Sequence, residues 1–315
     1  MVAELTSFYN DLELSEVRVH RPSKFVFLCG GFISQDNRAR AQNLRDYLYR
    51  VRGLSARYNV VLAELATQLY RDGGYTDLIS FEEDIARIAS VVLVIAESAG
   101  SLAELGAFTA NETIQKSLRV VIREHFEQSE SFVRFGPVER IRRARRANIA
   151  VYPWLTHSNG TLNVKSTQPH YREIVRFVHD HFAAVPASTS FEKLGEAQLF
   201  YIIYWIIHLS LAVSSTVLNS YVRQIVPSAT DEAIWRKLYC MKLAGWVAQL
   251  AYSSEEYFWA LNDSDPLEYV LRPGVVDRSS SFRRKLIVTA AMRKAERLPP
   301  YVVKEASKPR VARAP

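Results

Sequence analysis

The chain has 315 residues, enough for two modest domains, with 48% apolar and 23% charged residues, proportions that exclude a disordered or fibrous protein. Two cysteines far apart, Cys29 and Cys240, exclude a disulfide framework or cysteine metal cluster, and the seven histidines show no metal-ligand spacing. Formal net charge is +7, but it is uneven: residues 272–315 hold twelve Lys/Arg against three Asp/Glu, a net of +9, so the rest is slightly acidic. A second basic cluster comprises Arg134, Arg140, Arg142, Arg143, Arg145 and Arg146. Such concentration points to a polyanionic partner, nucleic acid or nucleotide phosphates. The opening Met1-Val2-Ala3-Glu4 lacks the basic-then-apolar order of a signal peptide, so a cytoplasmic protein is expected.

In chain order, short Val- and Ile-rich runs alternate with helical patterns. The strands predicted are Lys24–Cys29, Asn59–Ala63, Val91–Ala96, Leu118–Ile122 and Asn148–Tyr152. The helices predicted lie near Asn37–Arg52, Leu78–Ala89, Leu102–Gln115, Pro137–Arg146 and Pro169–Phe182. Five β/α units in succession imply a parallel sheet buried between helices. Ala183–Ser190 reads as a linker. Beyond it come helices over Phe191–Leu209, Thr216–Ile225 and Glu232–Leu243, then a β-hairpin from Trp246–Ala251 and Tyr257–Leu261. Three helices and a hairpin are the element order of a winged helix. The expected divisions are therefore 1–186, 187–265 and a basic helix and tail over 266–315. Leu199–Leu218 holds twenty residues without a formal charge, but His208 and a Ser/Thr-rich second half favour a buried helix and a new helix over a membrane span.

In an open parallel sheet, ligands bind beyond the carboxyl ends of the strands where strand order reverses. The loops after the first and third strands therefore matter most. The first reads Cys29-Gly30-Gly31-Phe32; its glycines either let backbone approach a ligand or merely make a tight turn, and they do not form G-x-G-x-x-G. The second runs Glu97-Ser98-Ala99-Gly100-Ser101-Leu102-Ala103-Glu104-Leu105-Gly106. Gly100 and Ser101 would open a helix whose N–H groups favour an anion, with Glu104 about one turn in. Gly106 would let that helix pack closely on the sheet or the ligand. A carboxylate at Glu104 suits stabilising or trapping an oxocarbenium-like sugar; equally, it complements the helix dipole. Glu82, Glu83, Asp84 and Glu64 are further carboxylates near the same crevice, and Cys29 reads as a packed strand residue.

The runs FLCGG and ESAGSLAELGAF, with Phe135-Gly136-Pro137-Val138, resemble the nucleoside deoxyribosyltransferase-like effectors encoded beside bacterial retrons. The resemblance extends from about Phe25 to Leu261 and is strongest between Ser80 and Val138. It implies a flavodoxin/Rossmann-like, nucleoside deoxyribosyltransferase-like parallel sheet of five strands followed by a winged-helix-like domain. It further implies a toxin that cleaves the N-glycosidic bond of a nucleotide, NAD foremost, held in check by a reverse transcriptase and its branched RNA–DNA until infection. Glu104 matches the family's nucleophile in its E-L-G motif, and Glu82 matches an acidic position where the transferases have Asp. Ser90 and Ala99 depart from the usual Asp and Pro. On this reading Gly30, Gly31, Glu97, Ser98, Gly100 and Ser101 line the substrate site, no cofactor is needed, and a homo-oligomer or higher assembly is expected. Nucleic acid would meet Arg140, Arg142 and Arg143, or Arg236, Lys237 and Lys242, while Trp235 and Tyr239 read as core; a solvated basic face is the other reading of the first group. A non-catalytic, nucleotide-sensing regulator that binds nucleic acid is the alternative function.

Overall fold

A computed structural model describes residues 3–36, 38–51, 54–63, 72–275 and 281–308. The chain divides into two compact units, one of Lys24–Val185 and one of Met1–Ser23 with Pro186–Ala314. The opening elements, α1 (Ala3–Asn10) and β1 (Arg18–His20), therefore lie in the second unit although their position in the chain suggested the first.

The Lys24–Val185 unit is an α/β sheet of five parallel strands: β2 (Val26–Cys29), β3 (Val60–Leu62), β4 (Val91–Ala96), β5 (Leu118–Arg123) and β6 (Ile149–Tyr152). Their order is β3-β2-β4-β5-β6. β2 and β4 are buried at every residue, as continuous apolar runs in a doubly covered sheet should be. Between the strands run α2 (Leu44–Asp46), α3 (Leu78–Ile88), α4 (Ala99–Ala110) and α5 (Glu139–Arg145), and α6 (Tyr171–Ala183) closes the unit. Val26, Leu28, Leu93, Ile95 and Val121 share one face with Leu44, Tyr47, Ile174 and Val178, so α2 and α6 cover that side. The alternate residue Phe27 meets Phe108 of α4 on the other side, and α3 packs there too, against the short turn Glu112–Gln115.

Helix boundaries differ from expectation where side chains capture backbone. The helix expected near Asn37–Arg52 begins only at Leu44, because Asn43 caps it and Asp46 accepts amides from Ser34 and Gln42, holding a loop ahead of it. The single helix expected over Leu102–Gln115 is two, broken at Asn111, whose side chain accepts from the amides of Thr113 and Ile114.

The second unit contains two antiparallel sheets. β1 lies at the centre of one, between β7 (Ser188–Ser190) and β11 (Leu267–Glu268). The other follows α7 (Gln198–Leu209): β8 (Val213–Ser214), α8 (Ser215–Ile225), α9 (Asp231–Leu243), β9 (Val247–Tyr252) and β10 (Glu255–Ala260), with sheet order β8-β10-β9. A long first helix is cut short because Gly195 adopts φ 55, leaving a 3₁₀ turn over Glu192–Ala197 before α7. Every residue from Phe200 to Ile207 is buried, and Ser214 caps α8. No helix of the described residues is long and apolar enough to cross a membrane. Then α10 (Ser281–Ala295) packs on α1, and α11 (Pro300–Ala306) follows.

Candidate active site

With strand order β3-β2-β4-β5-β6, chain connections leave in opposite directions from β2 and β4, so the candidate crevice, where open parallel sheets bind ligands, lies between the carboxyl ends of those two strands. Cys29-Gly30-Gly31 and Glu97-Ser98 form its floor. Gly30 has φ 156, and a Cβ there would lie 2.7 Å from Cδ of Arg45. A Cβ on Gly31 would lie 2.6 Å from Nδ2 of Asn43. The paired glycines thus admit the loop leading into α2, whose side chains fill the space the sequence reading had offered to a ligand. Arg45, only 1% exposed, donates to the carbonyls of Leu28 (2.6 Å) and Gly31 (3.0 Å). Beside it the buried Asp46 pairs with Arg50.

Glu97 ties the two strand ends together. Its carboxylate accepts from the amides of Leu44 (2.8 Å), Arg45 (3.0 Å) and Gly31 (3.4 Å). Burial pushes its pKa up to about 7, against the opposing pull of those three amides and the Arg45 charge. Ser98 is the N-cap of α4, accepting from the Ser101 amide at 3.2 Å. Ser101 is fully buried; its hydroxyl accepts from the amides of Glu97 (3.1 Å) and Ser98 (2.9 Å) and donates to the Ser98 carbonyl. These side chains build the crevice wall, with their polar groups turned into it. Gly100 is exposed in the first turn.

Glu104 is the sixth residue of α4, half-buried, with Oε2 shielded from solvent. Gly106 does not bring the helix against the sheet: a Cβ there would meet nothing within 4 Å. Glu82 is the fifth residue of α3, on the same face of the sheet and also near a helix start at the carboxyl edge. Its neighbours are engaged elsewhere: Asp84 accepts from Tyr75 Oη (2.7 Å) and from Arg87, and Glu83 also pairs with Arg87. Glu64 lies outside the described residues. Cys29 is buried, as a packed strand residue should be.

The basic candidates separate by partner. Arg142 pairs with Glu127 and Glu139, and Arg143 with Glu139 at 2.9 Å, whereas Arg140 is exposed. On α9, Arg236 pairs with Glu232, Lys237 lies 4.9 Å over the Phe200 ring, and Lys242 is exposed. Tyr239 is buried, and Trp235 packs edge-on against Phe258.

A family model described as STM3845 retron effector protein matches residues 41–249, about two thirds of the chain. This chain belongs to the retron effector family. Two relatives from Escherichia coli are similar over shorter stretches. One, named "Retron Ec86 putative ribosyltransferase/DNA-binding protein", is 31% identical over 118 residues, 38% of this chain and 37% of its own length. The other, named "Retron Ec73 putative ribosyltransferase/DNA-binding protein", is 30% identical over 122 residues, 38% of each chain. The matched stretches thus span little more than a third of each relative.

Sequence reasoning missed Asn43, Arg45 and Asp46, which hold the crevice floor of this retron effector family member. The signal present was Asn43-Leu44-Arg45-Asp46, an N-cap residue with a carboxylate three positions on. Nothing local marked Arg45 as the side chain that fills the strand end.

Proposed function

We propose that this protein is a retron effector enzyme that cleaves the N-glycosidic bond of a nucleotide, NAD foremost, with Glu104 as the catalytic carboxylate. The observation carrying this reading is the position of Glu104. It stands in the second turn of the helix that starts at the strand-order switch, with one carboxylate oxygen shielded from solvent. The C1′–N bond breaks with its electron pair leaving on the base. Glu104 stabilises or bonds C1′, and water then supplies the hydroxyl. Nicotinamide departs as a neutral molecule and needs no proton, whereas a purine needs one; moving that proton or orienting the sugar is the role of Glu82. The Gly31 and Ser101 amides are held by Glu97 and Ser98, so on this reading phosphate or sugar meets the exposed first turn of α4 at Gly100. No cofactor enters this chemistry.

In the second unit, α7-β8-α8-α9 followed by the β9–β10 hairpin supports a winged-helix reading, with α9 as recognition helix and Lys242 its exposed cation. The names of the two relatives, which join ribosyltransferase to DNA-binding protein, agree with an enzyme coupled to a nucleic-acid module. On this reading a reverse transcriptase with its branched RNA–DNA restrains the enzyme until infection, within a homo-oligomer or higher assembly. The alternative, a non-catalytic nucleotide sensor, draws on the inward commitment of Glu97, Ser98 and Ser101, which make a stable cradle without reacting groups.

The test is incubation of the purified chain, alone and with reverse transcriptase and DNA, with NAD and a nucleotide panel. Wild type should release nicotinamide or a free base, and Glu104→Gln should lose at least about 100-fold in rate while keeping its melting temperature. Equal rates for the two proteins, or retention of nucleotide without cleavage in every assembly, select the sensor.

A further inference from the structure

The amino edge of the five-stranded sheet, opposite the candidate crevice, gathers arginines that make no ion pair among the described residues. Arg119 stands at the start of β5 and is only 9% exposed. Its Nη1 donates to the carbonyls of Lys116 (3.0 Å) and Leu118 (2.6 Å), while its Nε is buried with no hydrogen-bond partner. The parallel register Val120↔Ile149 sets Asn148 beside it; that side chain is 4% exposed and its Oδ1 also lacks a partner. Arg145 and Arg146 end α5 and begin the turn that packs on β5, and both are exposed. From α6, His181 joins them, its Nδ1 donating to the Phe177 carbonyl at 2.8 Å, which leaves Nε2 as the outward nitrogen. Among the described residues, Arg119, Arg140, Arg145 and Arg146 make no ion pair, in contrast to Arg142 and Arg143 of the same helix.

Burial above all, then the Arg145 charge, holds the Arg119 guanidinium down to about 10. Burial also lowers His181, with Arg119 and Arg145 adding to it and the Phe177 carbonyl and Asp180 opposing it. Like charges crowded into a partly buried site are unfavourable until an anion joins them. Asp180, the carboxylate at hand, faces Arg176 at 3.6 Å on the outer side of α6.

We propose that Arg119, Arg145, Arg146 and His181 form a phosphate-binding site at the amino edge of the sheet that takes the phosphodiester backbone of a nucleic-acid strand. A phosphate offers several acceptor oxygens, which match guanidinium forks, and its charge offsets the burial and the neighbouring cations that hold His181 neutral, so that the protonated ring can donate through Nε2 as well. Two features favour a strand over a free nucleotide. The crevice for a small substrate lies at the other edge of the sheet, and the exposed Arg140, Arg145 and Arg146 extend the charge beyond what one phosphate occupies. This inference is independent of the glycosidase reading, because it uses no crevice residue.

The test uses the full chain. Binding of a fluorescein-labelled single-stranded DNA is followed by anisotropy at several salt concentrations, for wild type, Arg145→Ala/Arg146→Ala, Arg119→Gln and Arg143→Ala. The double variant should lose at least about tenfold in affinity and flatten the salt dependence by about two phosphate contacts. Arg143→Ala, already paired with Glu139, should change affinity less than about twofold. Inorganic phosphate should move the His181 imidazole resonance of wild type and leave that of a folded Arg119→Gln variant unmoved. An unaffected double variant, equal losses in the double variant and Arg143→Ala, or a static His181 resonance would overturn the site. A resonance that responds to a nucleoside diphosphate, with no DNA bound, would overturn the strand as its ligand.

Discussion

The two edges of one sheet handle charge in opposite ways. At the carboxyl edge, half-buried Glu97 and buried Arg45 and Asp46 are each met by backbone or by an opposite charge, so the β2 and β4 ends are locked against the loop that enters α2. At the amino edge, Arg119 is almost as buried and likewise donates to two carbonyls, but the charge acting on it is the like charge of Arg145. A buried charge met by an opposite charge is scaffold; a buried charge met by a like charge is where we propose a ligand. The difference separates two sets of residues that composition alone treats as one class, polar groups near a sheet edge.

The largest expected effect breaks the satisfied edge. Arg45→Met removes donors from two buried carbonyls and leaves Glu97 without its nearest cation, so urea denaturation should show a loss of about 3–5 kcal/mol. Next comes Glu97 itself. Its ordinary value of 4.5 is raised to about 7 in the fold, so its stabilising contribution is complete below pH 4.5 and is lost as pH rises to about 7. That swing is worth about 3 kcal/mol, and Glu97→Gln should remove it. Glu296, lifted to about 7 by burial against the pull of Ser214, titrates in the same direction and leaves a residual slope. A melting curve of the variant that retained the full wild-type pH slope would falsify the assignment to Glu97.

Glycines sharpen the comparison at smaller scale. Gly30→Ala drives a Cβ to 2.7 Å from Arg45 at a φ of 156, and should cost about 1–3 kcal/mol. Gly106→Ala, facing open space within α4, should instead stabilise by up to about 1 kcal/mol. Paired denaturation curves check both signs at once. A destabilised Gly106→Ala would mean that the space beside that helix is occupied after all.

The sheet was legible because its strands are runs of Val and Ile at β spacing, and β4 begins and ends at Val91 and Ala96 as read from the sequence. Glu104 was legible because a polar loop at a strand end followed by a helical pattern fixes how far into the helix a residue falls. The loop over residues 38–43 was not, because Asn43 and Asp46 capture backbone that the apolar spacing had assigned to a helix. Nor was the role of Ser101, whose burial depends on amides at Glu97 and Ser98 closing over it.

Local pattern, acting over a few residues with periods of two and 3.6, was sufficient by itself to determine the succession of the five parallel strands, the buried character of α7 and the helical position of Glu104. Tertiary structure alone decided which polar groups are engaged. Glu97 meets amides 52 and 53 positions away, Arg142 meets Glu127 across 15, and β1 crosses the chain to pair with Ser188–Ser190. Hydrogen bonds and ion pairs act over a few ångströms of space, and that proximity exists only after the sheet has brought distant segments together.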